Sequence, residues 1–190
     1  LETAANHADN EIMLRTKVTE LITDKDGKVV GVKGEQYDGT PVTIHAKKGV
    51  VLATGGYAAD IKRVMETNDY WADGDITTNT RTTNRSSLVG SGIDMAEAVG
   101  AATTGMGFTQ MMPISWVDNG NLAFGGGHYA IYINPTTGKR FVNETGERDV
   151  LSLAEFENGV SFNGTNGTIM DIANSNQLVP GPYPYGTPKD

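Results

Sequence analysis

Gly49-Val50-Val51-Leu52-Ala53-Thr54-Gly55-Gly56-Tyr57 is the stretch whose reading decides the fold of this chain. A short, unbroken apolar run suits a strand covered on both faces. It ends in residues small enough for a ligand to reach the backbone, as happens at the C-terminal ends of strands in doubly wound sheets. The competing reading is an ordinary strand-to-helix turn.

Upstream the pattern is β. Glu11 to Ile22 nearly alternates apolar and polar positions, and Asp24-Lys25-Asp26-Gly27 is a turn signal. Lys28 to Gly34 is the returning strand, Asp38-Gly39 a second turn, and Pro41 to Ala46 a third strand, which together predict a three-stranded meander. Downstream, Ala58 to Glu66 and Ile93 to Ala101 have helical composition and spacing. The Thr/Asn-rich segment between them, from about Asp69 to Val89, is too long for a mere connection and so points to function or disorder. Tyr129 to Asn134 and Lys139 to Asn143 read as a hairpin about Pro135-Thr136-Thr137-Gly138. Asp149 to Phe156 reads as a helix, with short strands at Val160 to Phe162 and Gly167 to Ile172. The fold class expected is α+β.

The 190 residues carry 15 Lys and Arg against 23 Asp and Glu, a formal charge of −8. A nucleic-acid binder needs a basic stripe, so that class is excluded. With no cysteine there is neither a disulfide framework nor a thiolate metal site, and no His/Asp/Glu spacing suggests a metal. No apolar run in this segment is long enough to span a bilayer. The compartment is unreadable.

Four blocks resemble the flavoproteins of the fumarate reductase and succinate dehydrogenase type, a family that includes urocanate reductases and 3-ketosteroid dehydrogenases. They are Thr16-Lys17-Val18, the Gly49 to Tyr57 stretch, Gly90-Ser91-Gly92-Ile93-Asp94-Met95-Ala96-Glu97-Ala98-Val99-Gly100-Ala101, and Gly138-Lys139-Arg140-Phe141-Val142-Asn143-Glu144 with Arg148-Asp149. The resemblance implies FAD as cofactor, with Val18, Ala53, Thr54, Gly55, Gly56, Gly90 and Ser91 beside it. It implies that residues 1–103 are the last part of the first FAD-binding segment of a Rossmann-like domain with linking helices. Residues 104–190 would begin a cap domain on the substrate side. The family's opening Gly-x-Gly-x-x-Gly strand and its late substrate-binding His and Arg are not in this sequence, so an internal fragment, inactive by itself, is expected.

Two departures shape the functional expectation. In an ungapped match the family's proton-donating Arg falls on Gly126, which leaves His128 or Tyr129 as the candidate acid; His128 is equally read as an ordinary loop histidine. Arg85 falls where the family has a His that binds the substrate carboxylate, and a guanidinium there suits an anionic substrate. Glu97 falls near the family's Thr-Glu pair at the substrate, or faces solvent on its helix. Ser91 replaces the usual Asp of its turn. Gly125-Gly126-Gly127-His128-Tyr129-Ala130 matches Gly-x-Gly-x-x-Ala only in letter, because it precedes a strand instead of following one. Arg140, Glu144, Arg148 and Asp149 read as a structural ion network, and Met106, Met111, Met112, Phe108 and Trp116 as packing.

The expected activity is reduction of the C=C bond of an unsaturated carboxylate, with hydride from flavin N5 and a proton from a protein acid. An electron-donor domain or partner is implied. The alternatives are a 3-ketosteroid dehydrogenase-like enzyme with Tyr129 as acid or base, and a non-enzymatic β-rich binding module.

Overall fold

Local turn chemistry builds the first sheet. In the computed structural model, which describes residues 10–123 and 130–173, β1 (Thr16–Thr23), β2 (Val29–Gln36) and β3 (Pro41–His45) form an antiparallel sheet in the order β1-β2-β3. The Asp24 carboxylate accepts from the N–H groups of Asp26 and Lys28 at 2.9 and 3.0 Å. Gly27 follows at φ +79°, a conformation in which a side chain is strained. Asp38 accepts from the Thr40 N–H in the second turn. The turns fix a register that sets Leu21 opposite Val32 and Val32 opposite Ile44. The expected meander is present, with β1 beginning at Thr16 instead of Glu11.

Three helices follow the strands: α1 (Ile61–Thr67), α2 (Ser91–Glu97) and α3 (Arg148–Asn158). The chain clusters into two compact units, Leu1–Gly56 with Gly90–Thr103, and Tyr57–Val89 with Thr104–Asp190. In the first unit α2 packs on β1, burying Met95 and Gly92. It stops at Glu97, short of the expected Ala101, where the chain turns into Gly100 at φ +92°.

The doubly covered strand expected at Val50–Leu52 is not formed. Residues 49–56 carry no strand pairing, and Val51 is 89% exposed. A buried parallel strand needs a hydrogen-bonded neighbour and a layer on each face. Among the described residues no strand lies beside this run, so Val51 and Leu52 stay exposed and Val50 is only half-buried.

In the second unit α1 is capped by the Asp60 carboxylate, which accepts from the Arg63 N–H at 3.1 Å. The core gathers Val64, Trp71 and Ile76, with Tyr57, Ile61, Met111 and Phe156 against them. Trp71 meets the Phe156 ring edge-on at 5.6 Å and donates its indole N–H to the Thr109 carbonyl at 2.7 Å. The strands of this unit are β4 (Ala130–Ile133), β5 (Val160–Phe162), β6 (Thr165–Thr168) and β7 (Met170–Ala173). β5 and β6 form a hairpin through Asn163 and Gly164 at φ +50° and +79°, as the strand twist requires of a two-residue turn.

The Thr/Asn-rich segment is tied to that hairpin. Thr77 donates to the Gly164 carbonyl at 2.6 Å, Thr165 to the Asn79 carbonyl at 2.9 Å, and Asn166 to the Gly74 carbonyl at 2.6 Å. These side chains give irregular backbone the partners that a helix or sheet would have supplied.

The hairpin expected between Tyr129–Asn134 and Lys139–Asn143 is only partly present. Its turn forms, with the Asn134 carboxamide accepting from Thr136 and Thr137, but Ile133 and Arg140 make a single bridge and β4 pairs instead with β7. The physical reason is Glu144. Its carboxylate accepts the Tyr132 N–H at 2.8 Å, capping a β4 group that a returning strand would otherwise have engaged.

Candidate functional site

In the first unit the structure brings together two stretches distant in sequence. The Gly90 N–H donates to the Gly56 carbonyl at 3.1 Å, and Gly90 takes φ 86° to open α2. Gly92 is buried against Thr54; a Cβ there would collide with the Thr54 hydroxyl and lie 2.8 Å from its Cβ. Ala53, Thr54, Gly55, Gly56 and Ser91 are exposed, and Gly90 is buried. Among the described residues no backbone hydrogen bond engages Ala53, Thr54 or Gly55. Small side chains, an open backbone edge and a clamp behind it fit a dinucleotide cofactor. Val18 lies on β1, the strand that α2 covers, and is 37% exposed.

Of the predicted substrate-side residues, Arg85 is exposed in the second unit, its carbonyl accepting from the Leu88 N–H at 3.0 Å. Glu97 is exposed at the end of α2 in the first unit. His128 and Tyr129 lie outside the described residues.

The second unit holds a cavity of about 910 Å³. Residues 80–84 contribute to its wall, so the arginine of this loop that lines it is Arg81 and not Arg85. Its apolar wall includes Ile76, Met111, Trp116 and Phe156. Tyr132, Ser152, Glu155 and Asp171 line it as well, and none of these four was singled out from the sequence. The usable signal was helical spacing, since Leu151 and Glu155, four apart on α3, share its buried face.

The charges around this cavity are not balanced. Glu155 is pushed up to about 9 by burial and then by the Asp171 charge, and Asp171 is raised by burial and by Glu144. The Tyr132 phenol is raised by burial, then by Glu155, Asp171 and Glu144. Glu144 goes the other way. Arg140 donates from Nη2 at 2.6 Å and from Nε at 3.0 and 3.1 Å, holding that carboxyl down at about 2. Arg148 donates instead to the Gln110 carboxamide at 3.3 Å.

The paired small-residue stretches mark a flavin-dinucleotide protein: the chain belongs to the family of FAD-binding domains, whose profile matches residues 1–179. It is 42% identical over 171 residues to the NADH:acrylate oxidoreductase of Vibrio harveyi, an alignment covering 88% of this chain and 16% of that protein. It is 36% identical over 148 residues to a fumarate reductase (cytochrome) of Shewanella frigidimarina, covering 76% of this chain and 24% of that one. The chain thus spans less than a third of these relatives. The open conformation of a flavocytochrome c3 fumarate reductase matches with a TM-score of 0.61 at 26% identity, over 82% of this chain and 27% of that chain. A 3-ketosteroid-delta4-(5alpha)-dehydrogenase from Rhodococcus jostii RHA1 matches with a TM-score of 0.53 at 23% identity, which speaks to fold alone. Among the described residues no helix is long and apolar enough to cross a membrane.

Proposed function

We propose that this chain is part of a larger FAD-dependent oxidoreductase that reduces the C=C bond of a small unsaturated carboxylate. The observation that carries the reading is the clamp of Ala53–Gly56 by Gly90 and Gly92, in a chain whose relatives are named acrylate, fumarate and urocanate reductases. FAD, when bound, supplies hydride transfer to the carbon–carbon bond.

The chain's own residues do the rest. The exposed backbone of Ala53, Thr54 and Gly55 contacts the cofactor, with Gly90, Ser91 and Val18 completing the cofactor side. Residues up to 103, apart from the segment 57–89, serve that side as part of a Rossmann-like domain, and residues 104–190 serve the substrate as part of a cap. The segment 57–89, which clusters with 104–190, brings Arg85 to the substrate side. Arg85 binds and orients the carboxylate through its N–H groups, and Glu97 is the second residue assigned to substrate binding. The proton for the α-carbon comes from an imidazole N–H of His128 or from the Tyr129 hydroxyl. Electrons reach the flavin from a further domain or partner.

The test uses the full-length protein. Its flavin absorbance is recorded, and the reduced enzyme is titrated anaerobically with acrylate, fumarate and urocanate. Reoxidation by one of them, with a rise in KM of about tenfold or more in Arg85→Ala, supports the reading. A well-folded protein without flavin, or a reduced flavin indifferent to every unsaturated carboxylate, overturns it.

A further inference from the structure

Three buried oxygen atoms of the second unit have no hydrogen-bond partner: Tyr132 Oη, Ser152 Oγ and Glu155 Oε1. Their residues are 1%, 2% and 8% exposed, and all three line the cavity of about 910 Å³. A few orphaned buried polar atoms per hundred residues are usual. Three around a single cavity point to something that fills it.

Their arrangement is specific. Ser152 and Glu155, three apart on α3, share a helix face. Tyr132 on β4 stands opposite Asp171 on β7, so the two share a face of that ribbon. Two carboxyls therefore border the space, and neither has an ion pair among the described residues. The nearby Glu144 is ion-paired with Arg140. Arg81 and Asp118 also line the cavity; both are exposed and they are opposite in sign. The remaining wall is apolar and aromatic, with Met111, Trp116 and Phe156.

We propose that this cavity binds a small organic cation, a protonated amine on a compact apolar or aromatic body, with Glu155 as its buried counter-charge. An ammonium group has three N–H donors and no acceptor; the three unused oxygens belong to lining residues but are closed to water in the empty cavity, so the cation reaches them as those side chains turn toward it. Asp171 adds a second negative charge, and the aromatic walls suit both the apolar body and the charge. Burial and Asp171 keep Glu155 protonated at neutral pH, so the arriving cation displaces that proton to solvent as the carboxylate forms. The site is independent of the flavin reading.

The test is calorimetry on the full-length, flavin-loaded protein with benzylammonium, and with neutral benzyl alcohol as the isostere. Two buffers of different ionisation heat at about pH 7.5 count the protons exchanged. Benzylammonium binds with release of about one proton, and its affinity rises about tenfold per pH unit from about pH 6.5 to about pH 8.5. In Glu155→Gln the proton release disappears and affinity falls about tenfold or more, while flavin absorbance and a cooperative melt are retained. The rim variant Asp118→Asn changes affinity by less than about threefold. Equal binding of benzyl alcohol would show an apolar cavity only, and no binding of either probe would show the space filled by water or by another segment of the protein; each overturns the proposal. If Glu155→Gln does not fold, proton release and pH slope in the unsubstituted protein decide the question. Flavin absorbance on the same samples keeps failure of this site distinct from failure of the flavin assignment.

Discussion

Glu155→Gln replaces a buried acid with an amide of nearly the same size, and the structure predicts that stability rises in a pH-dependent way. In the folded chain this carboxyl is held at about 9 against an ordinary value of 4.5, with burial as the main cause. The unfolded chain therefore releases the proton as pH passes 4.5 while the folded chain retains it until about 9, and stability falls with rising pH across that window. At about 1.4 kcal/mol per unit, the interval from about pH 5 to about pH 8 amounts to a ceiling of about 4 kcal/mol. Water entry and relaxation around a buried charge leave about 1–2 kcal/mol of that. Gln cannot ionise, so its protein lacks this slope. Urea unfolding of the two proteins at about pH 5, 6.5 and 8, without amines in the buffer, reads the difference directly. Near-equal stability at the acid end and an advantage of about 1–2 kcal/mol for the variant at the alkaline end is the expected result. Parallel pH profiles would refute the placement of Glu155 as a buried, unpaired acid.

Gly92→Ala puts a methyl against the Thr54 side chain, and should lower stability by about 1–3 kcal/mol and reduce flavin content after purification. Thr54→Gly in the same background should restore part of both, whereas full flavin content in Gly92→Ala would show that the clamp does not matter. Arg140→Ala leaves the Glu144 carboxylate, whose side chain is 3% exposed, without its cation; a loss of stability at neutral pH is expected by denaturant titration. That pairing stabilises fully above pH 4.5 and fades as pH falls toward about 2, so the gap between the two proteins should narrow in acid. Trp71→Phe removes the bond to the Thr109 carbonyl and leaves that oxygen unpaired, which should cost about 1–2 kcal/mol and appear as a lower melting temperature.

What the sequence made legible was local. Asp24 and Asp38 announce their turns because each closes a ring with backbone N–H groups a few residues away, and the meander follows from two such turns. α3 was expected over Asp149 to Phe156 and runs from Arg148 to Asn158. Burial at Val50–Leu52 was not, because an apolar run says only that a strand would be stable if covered, and the cover is not local. On the site, Ala53–Gly56 and Gly90–Ser91 were nameable from small residues and from the resemblance, whereas the pairing of Thr54 with Gly92 needed coordinates. Glu155 escaped notice because an acid in a helix is ordinarily read as a solvated face; its place four residues after Leu151 was the clue.

Side chains, more than ladders, decide the second unit. The Glu144 carboxylate occupies a backbone donor of β4 and is itself fixed by Arg140, so a stretch that reads as a hairpin strand becomes a charged cap and β4 turns to β7 for its partner. The same principle orders residues 69–89, where Thr77 donates to one carbonyl of the β5–β6 hairpin and Asn79 and Gly74 accept from Thr165 and Asn166. Composition showed that this segment was rich in Thr and Asn, but hydrogen bonds of this kind have no period and cannot be found by spacing. Because the hairpin that anchors the loop also lies between α3 and β7 in the chain, the wall carrying Arg81 and the floor carrying Glu155 are tied to one small element. A change at Asn163 or Gly164, where the hairpin turns, should therefore disturb both sides of the cavity together with Ile76 and Phe156, which the cavity shares with the Trp71 core.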